Sequence, residues 1–301
     1  MQQFNHNKGF LVNVGQRYLL LMLSAFLCYI IGAVLSAFIA GREMTTERMR
    51  LAMIVTDLLV FILPALIVAM LITRRPADFL QITGKPGVTL PILVLFTMIA
   101  AAPAMNCLIE LNQGIHFPES MAALEDALRS AESKAQESMD ILTSNYSVGG
   151  LVMSILIVGV LASFSEELFF RGTVLRVFQT TPMNMHLAVW GTAVIFSAMH
   201  MQFFGFLPRL LLGGFFGYLA LWSGSLWLAV IGHVLNNTIA VLLMWFNGRS
   251  CGSINIDSIG TSAGGGHQVA IVAVSVALTA LLIWQIYRTC KLLRHRSNQD
   301  A

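Results

Sequence analysis

Long apolar runs, each close to the length of a membrane crossing, alternate with short polar breaks along this chain. A helix that spans the hydrocarbon layer needs about 20 predominantly apolar residues, and on that measure about eight segments qualify. They lie near 17–40, 51–73, 88–109, 148–178, 184–204, 207–222, 226–246 and 268–290. The breaks carry turn chemistry at Arg74-Arg75-Pro76, Thr180-Thr181-Pro182 and Ser223-Gly224-Ser225. A backbone in lipid must satisfy its own hydrogen bonds, which a helix does within one segment. The pattern therefore predicts an all-α polytopic transmembrane helix bundle, a single membrane-embedded domain over 1–301.

One stretch breaks the rhythm. Residues 110–147 are acidic and too polar to cross, yet Leu124, Leu128, Ala131, Ala135 and Met139 recur at helical spacing. This predicts an amphipathic helix in an extramembrane loop. A solvated connecting helix is the simpler reading and a lid over a substrate groove the sharper one.

Composition agrees with the pattern. The 301 residues are 56% hydrophobic and 11% charged, against about 25% charged in an ordinary soluble domain. The net charge of +3 comes from basic residues beside spans rather than in a stripe, so nucleic acid is not an expected partner. With eight spans, Arg74, Arg75, Lys85, Arg171, Arg176, Arg288, Lys291, Arg294 and Arg296 fall on one side. The excess of positive charge on cytoplasmic loops makes that side, and both termini, cytoplasmic. Arg42, Arg48 and Arg50 fall opposite, interspersed with Glu43 and Glu47. The expected location is a bacterial inner membrane. The first apolar segment, Leu19 to Ala40, is too long for a signal-peptide core and reads as a retained span. Cys28, Cys107, Cys251 and Cys290 form no CxxC pair and read as small apolar fillers.

The candidate chemistry lies where charge enters the apolar segments. Glu166 and Glu167 follow the run from Leu151 to Phe164, with Arg171 close behind. Ionisable groups in a span are costly, and mark either a functional site or a paired structural network. On a helix Glu167 and Arg171 are four apart and can pair. Glu166 points about 100° away and stays freer, as suits a general base or acid. His200 lies 18 residues after Pro182 and Glu166 lies 16 before it, so in an antiparallel hairpin both stand about 24–27 Å from the turn. His233 and Asn237, four apart, share a helix face. Two hydrogen-bond donors opposite a base can stabilise an oxyanion, or form an interhelical clasp. Asn236 points off that face and suits packing. Gly213 and Gly217, at GxxxG spacing, permit close helix approach.

The ordered trio EExxxR (Glu166, Glu167, Arg171), FxxxH (Phe196, His200) and HxxxN (His233, Asn237) resembles the CPBP family of intramembrane proteases, the CAAX protease and bacteriocin-processing family. The resemblance covers about residues 148–247. It implies a glutamic endopeptidase of the CAAX prenyl protease type acting on a peptide or protein substrate at the lipid bilayer. Glu166 and His200 would activate water, His233 and Asn237 would form the oxyanion hole, and Glu167 with Arg171 would hold the site in shape. Phe196 would pack. A site without a cofactor is expected. Zinc is the alternative, since two histidines and a glutamate could bind it, but HExxH spacing is missing. The rival reading is a non-catalytic membrane partner or bacteriocin immunity protein on the same scaffold. Oligomeric state is not legible in the sequence.

Overall fold

The computed structural model describes residues 13–41, 45–249, 258–262 and 265–299, the side chains of 296–299 excepted. Arg42, Glu43, Cys251 and the side chain of Arg296 lie outside that description. The described residues are helical, with no strand among them. The helices are α1 (Val14–Ala40), α2 (Thr46–Ile72), α3 (Thr89–Gln113), α4 (Ala122–Thr143), α5 (Val148–Gln179), α6 (Met185–Met199), α7 (Phe206–Ser223), α8 (Leu226–Arg249) and α9 (Gln268–Gln299). Seven helices among the described residues are long and apolar enough to cross a membrane, and the chain is an integral membrane protein.

The eighth expected span is shorter than its apolar pattern implied. α6 has 15 residues, about 22 Å of helix, against a hydrocarbon core of about 30 Å. It ends because His200 caps it and Met201 takes φ 53°, in the left-handed region. The chain then turns through Phe203–Gly205 into α7. His200 therefore sits at a helix end rather than inside a span.

Local chemistry explains where the helices start. Asn13 caps α1 through a capping box with Gln16, Thr45 caps α2, Ser147 caps α5 and Asn184 caps α6. Gly224, at φ 69°, ends α7 in the left-handed conformation that glycine accepts without penalty. α3 carries Pro103 in its interior, where a missing N–H weakens the ladder. Ser275 of α9 repairs it, accepting from Ala104 N at 3.2 Å and donating to the Ala100 carbonyl at 2.6 Å.

α5 and α8 form the centre. α5 packs on α2 and α8, while α8 also meets α3 and α7. α1 and α9 lie outside, and apolar side chains such as Met22, Phe38, Val269 and Leu281 are exposed where lipid would cover them. One core cluster joins α1, α2, α5, α6 and α8, and a second joins α3, α7, α8 and α9. Gly213 and Gly217 let α7 lie against α6: a Cβ at Gly217 would stand 2.9 Å from a Val189 methyl. Cys28 and Cys290 are buried and unpaired, as small apolar fillers would be.

The links gather at two ends. Leu226 N donates to Gln81 O at 2.9 Å, Ser225 Oγ to Gly84 O at 2.7 Å, and Arg176 Nε to Phe79 O at 3.0 Å. Tyr18 packs its ring on Phe178, and Arg294 donates to Leu221 O at 2.6 Å. The start of α1, the α2–α3, α5–α6 and α7–α8 links and the end of α9 thus share one end. α4 lies at the other.

α4 is no free connector. Glu132 accepts from Phe204 N at 3.1 Å, and the Arg129 guanidinium lies 4.1 Å from the Phe204 ring centre. Its far end is tied to α2, where Thr46 Oγ donates to Ile141 O at 3.2 Å. α4 is therefore clasped across the turn that follows His200.

Candidate active site

The site grows out of the middle of α5. Two widened, π-helical stretches, Ile155–Ala162 and Phe170–Val174, flank the α-helical segment Ser163–Phe169 that carries both glutamates. Such bulges interrupt the regular ladder and re-aim side chains, often at functional sites.

Glu167 and Arg171 are fully buried and paired at 2.7 Å, as their spacing predicts. Arg171 also donates to Gly213 O at 2.8 Å and lies over the rings of Phe196 and Phe216. Glu167 Oε1 takes a second donor, His233 Nδ1, at 2.8 Å. One carboxylate therefore joins α5, α7 and α8 through Arg171 and His233. A buried carboxylate is tolerated when countercharge and hydrogen bonds reach it in this way, here through Oε1, while Oε2 has no hydrogen-bond partner among the described residues.

Glu166 faces a different neighbourhood. His233 Nε2 is 3.8 Å and His200 Nε2 4.0 Å from its Oε2. That oxygen is buried and has no hydrogen-bond partner among the described residues. The gaps are too long for direct hydrogen bonds and suit a bridging water.

The ring orientations follow from the other nitrogens. His200 Nδ1 is 2.8 Å from Phe196 O, and a carbonyl only accepts, so Nδ1 carries a proton and Nε2 is the nitrogen turned towards Glu166. By the same reasoning His233 donates from Nδ1 to Glu167. Phe196 packs edge-on to both imidazoles and Phe216 stacks on His233. Side-chain exposure falls from 29% at His200 through 15% at Glu166 to 6% at His233, so the cluster opens on the His200 side.

Asn237 stands one turn beyond His233, and its contacts lead elsewhere. Its Nδ2 donates to Val158 O at 3.2 Å and to Ser163 Oγ at 3.1 Å, while Oδ1 accepts from Asn236. The structure joins Glu166, His200 and His233, whereas Asn237 is held against the bulged part of α5.

Asp57 escaped the motif reading although it was legible as a carboxylate in an apolar span. It is buried in α2, accepts from Ser165 Oγ at 3.0 Å, and so sits behind the turn carrying Glu166. Ser163 carried no signal, because nothing local shows which helix it faces. Among the described residues no group of three His, Cys, Asp or Glu side chains is arranged to hold a metal ion.

Residues 148–239 match the family model described as type II CAAX prenyl endopeptidase Rce1-like. This segment, about a third of the chain, is similar to that domain. It contains the glutamate pair, Arg171, Phe196, His200, His233 and Asn237, so the whole cluster lies within the Rce1-like segment. At the level of that family the match supports a CAAX protease-like membrane protease. No curated protein and no solved structure matches the chain.

Proposed function

We propose that the protein is an intramembrane endopeptidase in which Glu166 and His200 activate water against a peptide bond near the membrane. The observation carrying this reading is the Glu166 Oε2 atom, buried without a hydrogen-bond partner among the described residues and faced at 3.8 and 4.0 Å by two imidazole nitrogens. A water between Glu166 and His200 Nε2 gives up one proton to Glu166 while its oxygen attacks the scissile carbonyl. Glu166 then passes that proton to the leaving amine as the C–N bond breaks.

His233 stabilises the tetrahedral oxyanion from Nε2, which requires protons on both ring nitrogens. Glu167 supports that form as the acceptor at Nδ1. Asn237 serves the same oxyanion by exchanging its Ser163 contact for substrate, the Val158 bond fixing its orientation. Glu167 and Arg171 hold the three helices in register. The site works without a metal in this scheme. We place the protein in a bacterial cytoplasmic membrane with its basic end, where α1 begins and α9 ends, towards the cytoplasm.

The test is cleavage of a prenylated CAAX peptide, together with membrane proteomics for an accumulating precursor, comparing wild type with Glu166→Gln. The variant should lose about 10²–10⁴-fold in rate. Undiminished cleavage by folded Glu166→Gln would reject Glu166 as the base. A precursor set identical in the two strains, with no peptide cleaved by wild type, would favour the non-catalytic scaffold.

A further inference from the structure

Away from the peptidase cluster, the basic end of the bundle carries a cavity of about 300 Å³ between the ends of α7 and α9. Trp222 and Tyr287 form its apolar wall, with rings packed edge-to-face at 5.4 Å, and Lys291, Arg294 and His295 form its rim. No acidic side chain lines it. Arg294 is partly committed, since it donates to Leu221 O and caps the end of α7. Lys291 and His295, four apart on one face of α9, make no hydrogen bond or ion pair among the described residues. The surroundings add to the positive field: Arg17, Arg74, Arg75, Lys85, Arg176 and Arg288 gather at this end, with Asp78 the acid among the described residues there.

We infer that this cavity binds an anionic phospholipid. The phosphate would lie between Lys291, Arg294 and His295, and the start of an acyl chain along Trp222 and Tyr287. The pairing of an aromatic wall with a cationic rim is the reason for choosing a lipid over a soluble phosphate. Rings of this kind settle at the headgroup level, and basic recesses between membrane helices take anionic headgroups. A soluble anion would use the rim and gain nothing from the wall. The cavity's size is at the lower end of ligand sites and fits a glycerophosphate headgroup rather than a whole lipid, leaving the acyl chains on the outer surface of α9.

The experiment uses the full chain in detergent and in nanodiscs. Native mass spectrometry would count retained phosphatidylglycerol against phosphatidylcholine for wild type, Lys291→Gln/His295→Gln, and Arg74→Gln/Arg75→Gln as a control for charge elsewhere on the same end. Arg294 is left intact because it caps α7. The cavity variant should bind phosphatidylglycerol about fivefold more weakly, as loss of one or so interfacial cations implies. Phosphatidylcholine should be indifferent to both changes, and the control pair should retain phosphatidylglycerol. Equal retention by wild type and the cavity variant would overturn the site. So would an equal loss in the control pair, which would reduce the effect to general surface charge. Inorganic phosphate or glycerol 3-phosphate competing as well as the lipid would overturn the lipid as its occupant.

Discussion

Single residues at the site divide by how their charge is answered. Glu167 and Arg171 are buried together, and removing one leaves the other's charge stranded in a low dielectric. Glu167→Ala should therefore lower the stability of the detergent-solubilised protein by about 3–5 kcal/mol, read as a drop in thermal unfolding temperature. Glu167→Ala/Arg171→Met should recover part of that loss, and a double variant no more stable than the single one would contradict the pairing. Asn237 offers a finer distinction, because its two N–H groups already have partners in Val158 and Ser163. If it serves the oxyanion by releasing Ser163, Ser163→Ala keeps the rate while Asn237→Ala loses about 10²–10³-fold. Both should be measured as kcat on one substrate. An equal loss in both variants would make Asn237 a clasp between α5 and α8 instead.

Among the elements, α4 is the one whose role the pattern left open. Its amphipathic spacing was legible in Leu124, Leu128, Ala131, Ala135 and Met139. Its docking was not, because the partner Phe204 belongs to a turn about 70 residues away. Glu125 fastens the start of the helix. The Phe117 N–H first, and the Arg129 side chain second, hold its carboxyl down at about 2. A depressed carboxyl stabilises the docked form fully above its unfolded value, about 4.3, and that contribution fades as pH falls towards the folded value. A dye on the thiol of a Ser133→Cys variant, with the native cysteines replaced, should keep constant anisotropy down to about pH 4 and gain mobility towards pH 2. Adding Glu125→Gln should make the dye mobile at neutral pH, and an unchanged profile in that variant would show that Glu125 does not hold α4.

At the scale of the whole molecule, the two ends differ in both charge and structure. Hydrogen bonds gather the α2–α3, α5–α6 and α7–α8 links at the basic end, and α4 crosses the other. Single cysteines introduced by Arg74→Cys and by Ser133→Cys, in a background without native cysteines, should react with an impermeant maleimide from opposite sides of the membrane. Reaction of both from one side would refute this topology. The shortness of α6 belongs to this scale as well. The apolar pattern runs on past Met199 to Met201 and Phe203, so only the turn at His200 and Met201 shows that the helix stops and exposes the imidazole.

The sequence by itself determined that this is a membrane bundle, and it marked Glu166, Glu167, Arg171, His200 and His233 as candidate site residues. Both follow from the cost of polar groups in lipid, which makes each charge in an apolar run conspicuous. Helical spacing alone paired Glu167 with Arg171, since four residues always return to one face. Tertiary structure decided what spacing cannot reach. It set Glu167 between Arg171 and His233, turned Asn237 towards α5, placed Asp57 behind Ser165 and laid α4 over the turn after His200. These depend on which helices face one another and on the bulges in α5 that rotate its side chains. Such facts arise only when the chain packs.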